Sequence, residues 1–476
     1  MVLIWNCLLE EQDLVGLVGV MRYDYGLDSF VIICYISIWF YYKFISNLEQ
    51  RKYRLMDYLK KYADENRLPI MDQNTFERIT NDIGREQFRL DLSDYIEKYR
   101  PIFPLKRISL DDVRTKFFEL QKQDISTYCN TDNNNVMEKY QDYKYSYKDY
   151  GLGIIDAPST YNKVSNYFHQ ELRLNCSSYS FKSPLDVWYN GTSKQIWSCL
   201  GPMWRGINEM KKVIVDGKEE LRGGKLSENS YMGAFRLGTY IATQFKPNVA
   251  KTIYQLTNAK KVLDTSCGWG DRLAGFFASD AEEYIGCDPN PNTYKQYMKQ
   301  IEVYNSFLSK PKKVTIYNTG AEDLPWNKID NIDCAFTSPP YFSTEEYNKG
   351  GEKEENQSWF KFNEYEKWRD DFFLPVSKKC FEVSKHTLIN IMDPTIKGKR
   401  YKSCDEVVDM LKDNFVGQIG MRIMQRPKSD KLFETEKDKQ DFMNKTFIEN
   451  VWCFSKDKNV DLFKSIRKGT LDSFFE

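Results

Sequence analysis

The chain has 476 residues, with 68 Lys plus Arg against 68 Asp plus Glu, so its net charge is zero and no global basic field announces a nucleic-acid partner. Such a partner has to be met by a local patch. Two histidines, His169 and His386, exclude a mechanism that needs several, and eleven cysteines without a C-x-x-C pair argue against zinc and secreted disulfides and for a reducing, cytoplasmic compartment.

Residues 1–55 form an apolar N-terminal segment of open status. Its 13-residue run "FVIICYISIWFYY", Phe30 to Tyr42, is shorter than the ~18–20 residues needed to cross a bilayer, and no small-residue cleavage site follows. A buried element, a membrane-associated segment, and sequence upstream of a later start at Met56 all remain as readings.

Residues 56–225 read as a mainly helical accessory or substrate-recognition domain. "CNTDNNNVMEKYQDYKYSYKDYG" is a loop-rich surface or a Tyr- and Lys-bearing face for nucleic acid. Trp188, Trp197 and Trp204, near Arg205, are mostly core, with one or two left for a base or backbone channel. His386, at the start of "HTLINIMD", reads as a satisfied strand-end histidine. "LRGGKLSENS", with Gly223 and Gly224, reads as a linker.

From 226 to 460 the texture changes. "KVLDTS", "EYIGCD", "VTIYNTG", "DCAFTS", "TLINIMD", "VGQIGMRI" and "FIENVWCFSK" predict seven strands, separated by amphipathic helical stretches. That alternation predicts an α/β, doubly wound, mostly parallel sheet, the last two strands forming an antiparallel pair at one edge. Residues 461–476 are a C-terminal tail.

Four strand ends carry the candidate chemistry. The first leads through Asp264 and Ser266 into a turn with Gly268 and Gly270, where backbone N–H groups and a helix N-terminus can approach a ligand. The second ends in Asp288, where a carboxylate accepts hydrogen bonds from ribose hydroxyls. The third ends in Ala321, Glu322 and Asp323, placed to meet an adenine ring. The fourth runs into Thr337-Ser338-Pro339-Pro340-Tyr341-Phe342, a rigid hydroxyl-bearing turn with two aromatic rings. A flat group is expected there, with Tyr341 and Phe342 beside it. Arg236, in "YMGAFRLGTY", is a candidate for a cofactor or phosphate contact.

Taken together, these motifs resemble S-adenosylmethionine-dependent DNA amino-methyltransferases, the cytosine-N4 and adenine-N6 enzymes with a TSPPY-type turn. The resemblance covers about Leu226 to Lys456. It implies a seven-stranded methyltransferase-like sheet and S-adenosyl-L-methionine as cofactor. Lys246 and Pro247 match the family's Lys-Pro segment beside the methionine end; Asp264, Gly268 and Gly270 match its glycine turn and Asp288 its ribose carboxylate, while Ser266, Ala321 and Glu322 are the further candidates for cofactor contacts. Ser338 to Tyr341 match the catalytic turn. The implied substrate is DNA, with the target base flipped out or single-stranded, as in restriction-modification, and no metal is implied.

The chemistry explains the turn. An exocyclic amine conjugated with its ring is a poor nucleophile. A hydroxyl and a proline carbonyl that accept its hydrogens draw the nitrogen toward tetrahedral geometry, and positioning carries most of the catalysis. Serine at the first position favours cytosine N4 over adenine N6. RNA or a protein glutamine as acceptor, or a catalytically silent nucleic-acid-binding subunit, are the alternatives. Two departures stand out: Trp269 sits inside the glycine turn, and Gly320 occupies a position where many relatives carry the adenine-contacting carboxylate. The polar insertion after the turn, "STEEYNKGGEKEENQSWFKFNEY", reads as a lid over the pocket or as a disordered surface loop.

Overall fold

A computed structural model describes residues 57–131, 136–138, 152–178, 181–204, 211–215, 218–423, 433–444 and 446–467. The run Phe30–Tyr42, Met56, Arg205 and most of the Tyr- and Lys-rich segment lie outside the described residues. Among the described residues no helix is long and apolar enough to cross a membrane. Packing divides the chain into two units, Met1–Ile102 with Gly191–Tyr231, and Phe103–Asn190 with Met232–Glu476.

The first unit is helical. Asp72 caps Gln73–Ile83 by accepting the Thr75 N–H, and Thr192 with Gln195 forms a capping box at Ser193–Leu200. Helix Arg85–Tyr99 buries Phe88, Leu92 and Ile96, and Phe76, Phe88 and Trp204 form an aromatic cluster. The Arg89 guanidinium covers the Trp197 ring at 3.6 Å. A two-stranded ribbon, Lys211–Val215 with Lys218–Arg222, follows. The stretch expected as a linker is packed: Leu226 is buried, and its backbone exchanges hydrogen bonds with Met71.

All seven expected strands occur in the second unit: β1 Lys261–Asp264, β2 Glu283–Cys287, β3 Lys313–Tyr317, β4 Ile332–Thr337, β5 Ser384–Asn390, β6 Phe415–Arg422 and β7 Thr446–Ser455. They lie in the order β3-β2-β1-β4-β5-β7-β6; β7 runs antiparallel to β5 and β6, and Val136–Glu138 pairs with its first residues in parallel. The β6–β7 pair is antiparallel as expected, but it does not end the sheet. Gly153–Ile155 pairs in parallel with β6, and Cys129–Asn130 pairs beyond that. A helix, Glu436–Met443, also stands in the connection that was read as loop.

Strand residues alternate between two cores, the expected result when both sheet faces are covered. Val262, Cys334, Phe336, Leu388 and Cys453 face one core. Leu263, Ala335, Ile389, Trp452 and Phe454 face the other. On the first face lie α1 Pro247–Leu256, α2 Asp271–Ala278 and α3 Pro291–Phe307, joined by Phe117 and Phe168 from helices Leu110–Lys122 and Lys163–Leu174. On the second lie α4 Leu374–Val383 and α5 Ser403–Met410. Strand order reverses between β1 and β4, and the crevice beyond the carboxyl ends of strands at such a point is where doubly wound sheets bind ligands.

Candidate functional site

The glycine turn follows β1 and the Ser-Pro-Pro-Tyr turn follows β4, so neighbouring strands deliver both to one crevice. Parallel pairing sets Cys334 beside Val262 and Ala335 beside Leu263, and the Thr265 and Thr337 hydroxyls meet at 3.1 Å.

The two turn glycines serve different ends. Gly268 and Gly270 both adopt positive φ, 58° and 70°. Gly268 lies at the crevice, its N–H donating to Asp288 Oδ2 at 3.2 Å. Gly270 is hemmed in: a Cβ there would meet Gln300 Oε1 at 2.2 Å and His169 Nε2 at 2.7 Å. Asp264 lies beneath the turn. It is fully buried, and its carboxylate accepts from Arg272 Nε at 2.8 Å, Tyr284 OH at 2.7 Å and Ser266 N–H at 3.1 Å. It therefore braces the turn and lines neither compartment of the crevice.

Asp288 stands at the wall. It accepts the N–H groups of Asn290 and Gly268 and the hydroxyls of Thr293 and Tyr297, at 2.9 to 3.2 Å. Burial raises its carboxyl to about 6 even so. Four donors match the lone-pair sites of a carboxylate, so a further donor has to displace one of them. Glu322 accepts from Lys361 Nζ at 2.7 Å through Oε1, while its buried Oε2 has no partner among the described residues.

In the fourth-strand turn the Phe342 N–H donates to the Pro340 carbonyl at 2.9 Å, with Phe342 at a φ of 54° that non-glycine residues rarely adopt. Phe342 does not reach the crevice; it packs among Tyr365, Trp368 and Tyr401. Tyr341 does reach it, and its hydroxyl donates to Glu449 Oε1 at 2.5 Å, with the Asn390 carbonyl at 3.2 Å and Ser338 Oγ at 3.5 Å.

The crevice has two compartments. The smaller, about 80 Å³, is lined by Asp288, Asn290, Thr293, Gly320, Ala321 and Glu322 among others. The larger, about 330 Å³, is lined by Phe245, Lys246, Tyr341, Asn390, Met392 and Glu449 among others. Ser266, Gly268, Trp269, Ser338 and Tyr347 belong to both linings. Ser338 thus stands where they join.

Lys246 donates to the carbonyls of Ala157 at 2.6 Å and Arg422 at 2.9 Å, and burial lowers its pKa. Pro247 opens α1 and lines neither compartment; Arg236 is exposed and also off the wall. Trp188, Trp197 and Trp204 lie off both linings, and Trp188 is fully buried against Phe103 and Phe235. His386 is buried, its Nδ1 3.0 Å from the Ser455 hydroxyl.

The insertion is built onto the crevice. Glu345–Glu346 pairs with Ser177–Ser178, the Tyr240 hydroxyl donates to Glu345, and Trp359 Nε1 donates to the Tyr347 carbonyl at 2.8 Å. Tyr347, Asn356, Gln357 and Ser358 all line the smaller compartment.

Sequence reasoning missed Asp271, which lines the larger compartment while accepting from Ser165 and Gln244, its Oδ2 buried and without a partner among the described residues. An acid in a helix's first turn looks ordinary. Glu449 was also missed, although a carboxylate within a strand covered on both faces is itself a signal.

No family model matches the chain, and no curated protein matches it. Solved structures do. The N-terminal domain of EvdMO1 with SAH bound is 11% identical, over 54% of this chain and 93% of that one, at a TM-score of 0.28. The methyltransferase domain of bacterial CtHen1 is 11% identical over 44% and 96%, at 0.27. An rRNA methylase from Streptococcus thermophilus is 12% identical over 45% and 99%, at 0.24. Likenesses of this strength carry no functional argument. The strand order places the chain among α/β folds with a doubly wound, mostly parallel sheet.

Proposed function

We propose that the protein is an S-adenosylmethionine-dependent methyltransferase that modifies an exocyclic amino group of a DNA base, with cytosine N4 favoured over adenine N6. One observation carries the reading: Ser338 lines both compartments and so stands at their junction, on the same wall as Ser266 and Gly268. A reaction that joins two ligands needs its positioning group there.

The smaller compartment suits the nucleoside part of the cofactor, since its wall carries the Asp288 carboxylate and a Glu322 Oε2 without a partner among the described residues. Asp288, Glu322, Ala321 and Gly268 would hold the nucleoside part; Ser266 and Lys246 stand toward the larger compartment, beside the expected methionine end. The cofactor supplies an electrophilic methyl group. In the larger compartment Ser338 accepts a hydrogen of the amine and directs its lone pair, and the rings of Phe245, Tyr341 and Tyr347 offer stacking faces. That wall carries both signs, with Lys246, Arg272 and Arg422 against Asp271, Glu345, Asp393 and Glu449. An uncharged flat base suits it better than a phosphate.

The test is incubation with methyl-labelled cofactor and DNA, RNA and protein acceptors, followed by digestion of the labelled polymer. N4-methylcytosine is expected. Label on RNA or on glutamine would move the substrate class, and no label on any acceptor would overturn the reading. Ser338→Ala should keep cofactor affinity and lower transfer by about 10²–10³-fold, as removal of one preorganised polar contact does elsewhere. Equal turnover by this variant and the parent would remove the assignment.

A further inference from the structure

We infer that Glu449, acting through Tyr341, is a positioning residue that fixes the hydrogen of Ser338, so that the site accepts a hydrogen-donating group and turns away a hydrogen-accepting one; this rests on the function proposed above. The argument is a count of hydrogens. A phenol carries one, and a serine hydroxyl carries one with two lone pairs. Around the Tyr341 oxygen stand Glu449 Oε1 at 2.5 Å, the Asn390 carbonyl at 3.2 Å and Ser338 Oγ at 3.5 Å. Glu449 Oε1 already accepts Asn390 Nδ2 at 3.2 Å, so it is an acceptor, and a carbonyl can only accept. The Tyr341 hydrogen therefore goes to that side, and the short contact to a carboxylate takes it in preference.

Burial and the adjoining Glu449 carboxylate hold the phenol well above its usual range, so it keeps that hydrogen. At the Ser338 contact, a long one at 3.5 Å, Tyr341 then has only lone pairs to offer, so any hydrogen bond made there is donated by Ser338. The Ser338 lone pairs remain for the compartment, where they suit a hydrogen of an amine and repel a ring carbonyl. Asn390 steadies the arrangement by donating from Nδ2 to the Asn450 carbonyl at 3.0 Å as well as to Glu449. Ser338, Tyr341, Asn390 and Glu449 all line the larger compartment.

The prediction separates polarity from simple packing. Glu449→Leu should lower kcat about 10–100-fold, the loss expected when a polar partner is left unsatisfied, while the affinity for SAH stays within about twofold. Glu449→Gln keeps a carbonyl oxygen for the Tyr341 hydrogen and should restore most of the rate. A second readout needs no turnover: the SAH-loaded parent should bind free cytidine about tenfold more tightly than uridine, and Glu449→Leu should erase that preference. Parent-like kcat in Glu449→Leu, no advantage of Gln over Leu, or no cytidine preference in the parent would each overturn the inference. An active parent with an indifferent Glu449 defeats this inference alone; a parent that prefers cytidine yet labels no acceptor defeats only the proposed reaction.

Discussion

At position 320 a Cβ would stand 2.5 Å from both carboxylate oxygens of Glu322. The family resemblance leads one to expect a carboxylate on residue 320 itself; here the space that such a side chain would enter is filled by the carboxylate from two residues on. Gly320 has a φ of −67°, so it is a glycine for room and not for backbone freedom. Gly320→Ala should push the Glu322 carboxylate out of place at little cost to the fold. We expect about a tenfold loss of SAH affinity by calorimetry, with stability changed by under about 1 kcal/mol in a denaturant melt. Unchanged affinity would remove Glu322 from the cofactor site. Asp271 gives a pH test. Burial raises its carboxyl from the ordinary 3.8 to about 7, against the pull of Ser165, Gln244, Arg173 and Arg272. A carboxyl whose folded-state pKa is raised contributes stability that is full below pH 4 and is lost as pH rises through 7. Asp271→Asn cannot lose it. Whatever its fixed offset, the variant should gain on the parent by about 1.4 kcal/mol per pH unit between pH 5 and 7, then level off. A constant difference in thermal melts across that range would sink the assignment.

Elements were legible where their pattern is local. Each of the seven strands was readable because a doubly covered strand shows as a short apolar run, and the turn residues after β1, β2 and β4 were readable because glycine, proline and a terminal carboxylate serve a strand end directly. What failed depended on distant chain. The covered edge of β6 could not be seen, because Gly153–Ile155 looks like any short apolar fragment. Phe342 looked like a second stacking ring, but its positive φ turns it into the core with Trp368. The insertion left two readings open because its polar sequence says nothing of the Ser177–Ser178 strand that receives it. Asp264 kept its place in the motif, yet Arg272, eight residues on, claims its carboxylate at 2.8 Å.

At the scale of the whole molecule, the chain leaves the second unit at Asn190 and returns to it at Met232. The site residues all come from after the return, but the body that supports them does not. Phe117 and Tyr304 stack at 5.0 Å, the Tyr304 hydroxyl donates to the Val164 carbonyl at 2.9 Å, and Lys251, only 1% exposed, donates to the carbonyls of Leu120, Gln121 and Gln123. Excising the motif-bearing half from residue 226 onward would strip these partners away together. Ile419, Gly420 and Met421 would lose the backbone that pairs with them, leaving an open β-edge above a bared apolar flank. Such a truncation should self-associate in sedimentation experiments, and adding residues 103–190 on a separate chain should bring monodisperse material back. A soluble, monodisperse truncation would mean that the earlier segment decorates the sheet instead of completing it.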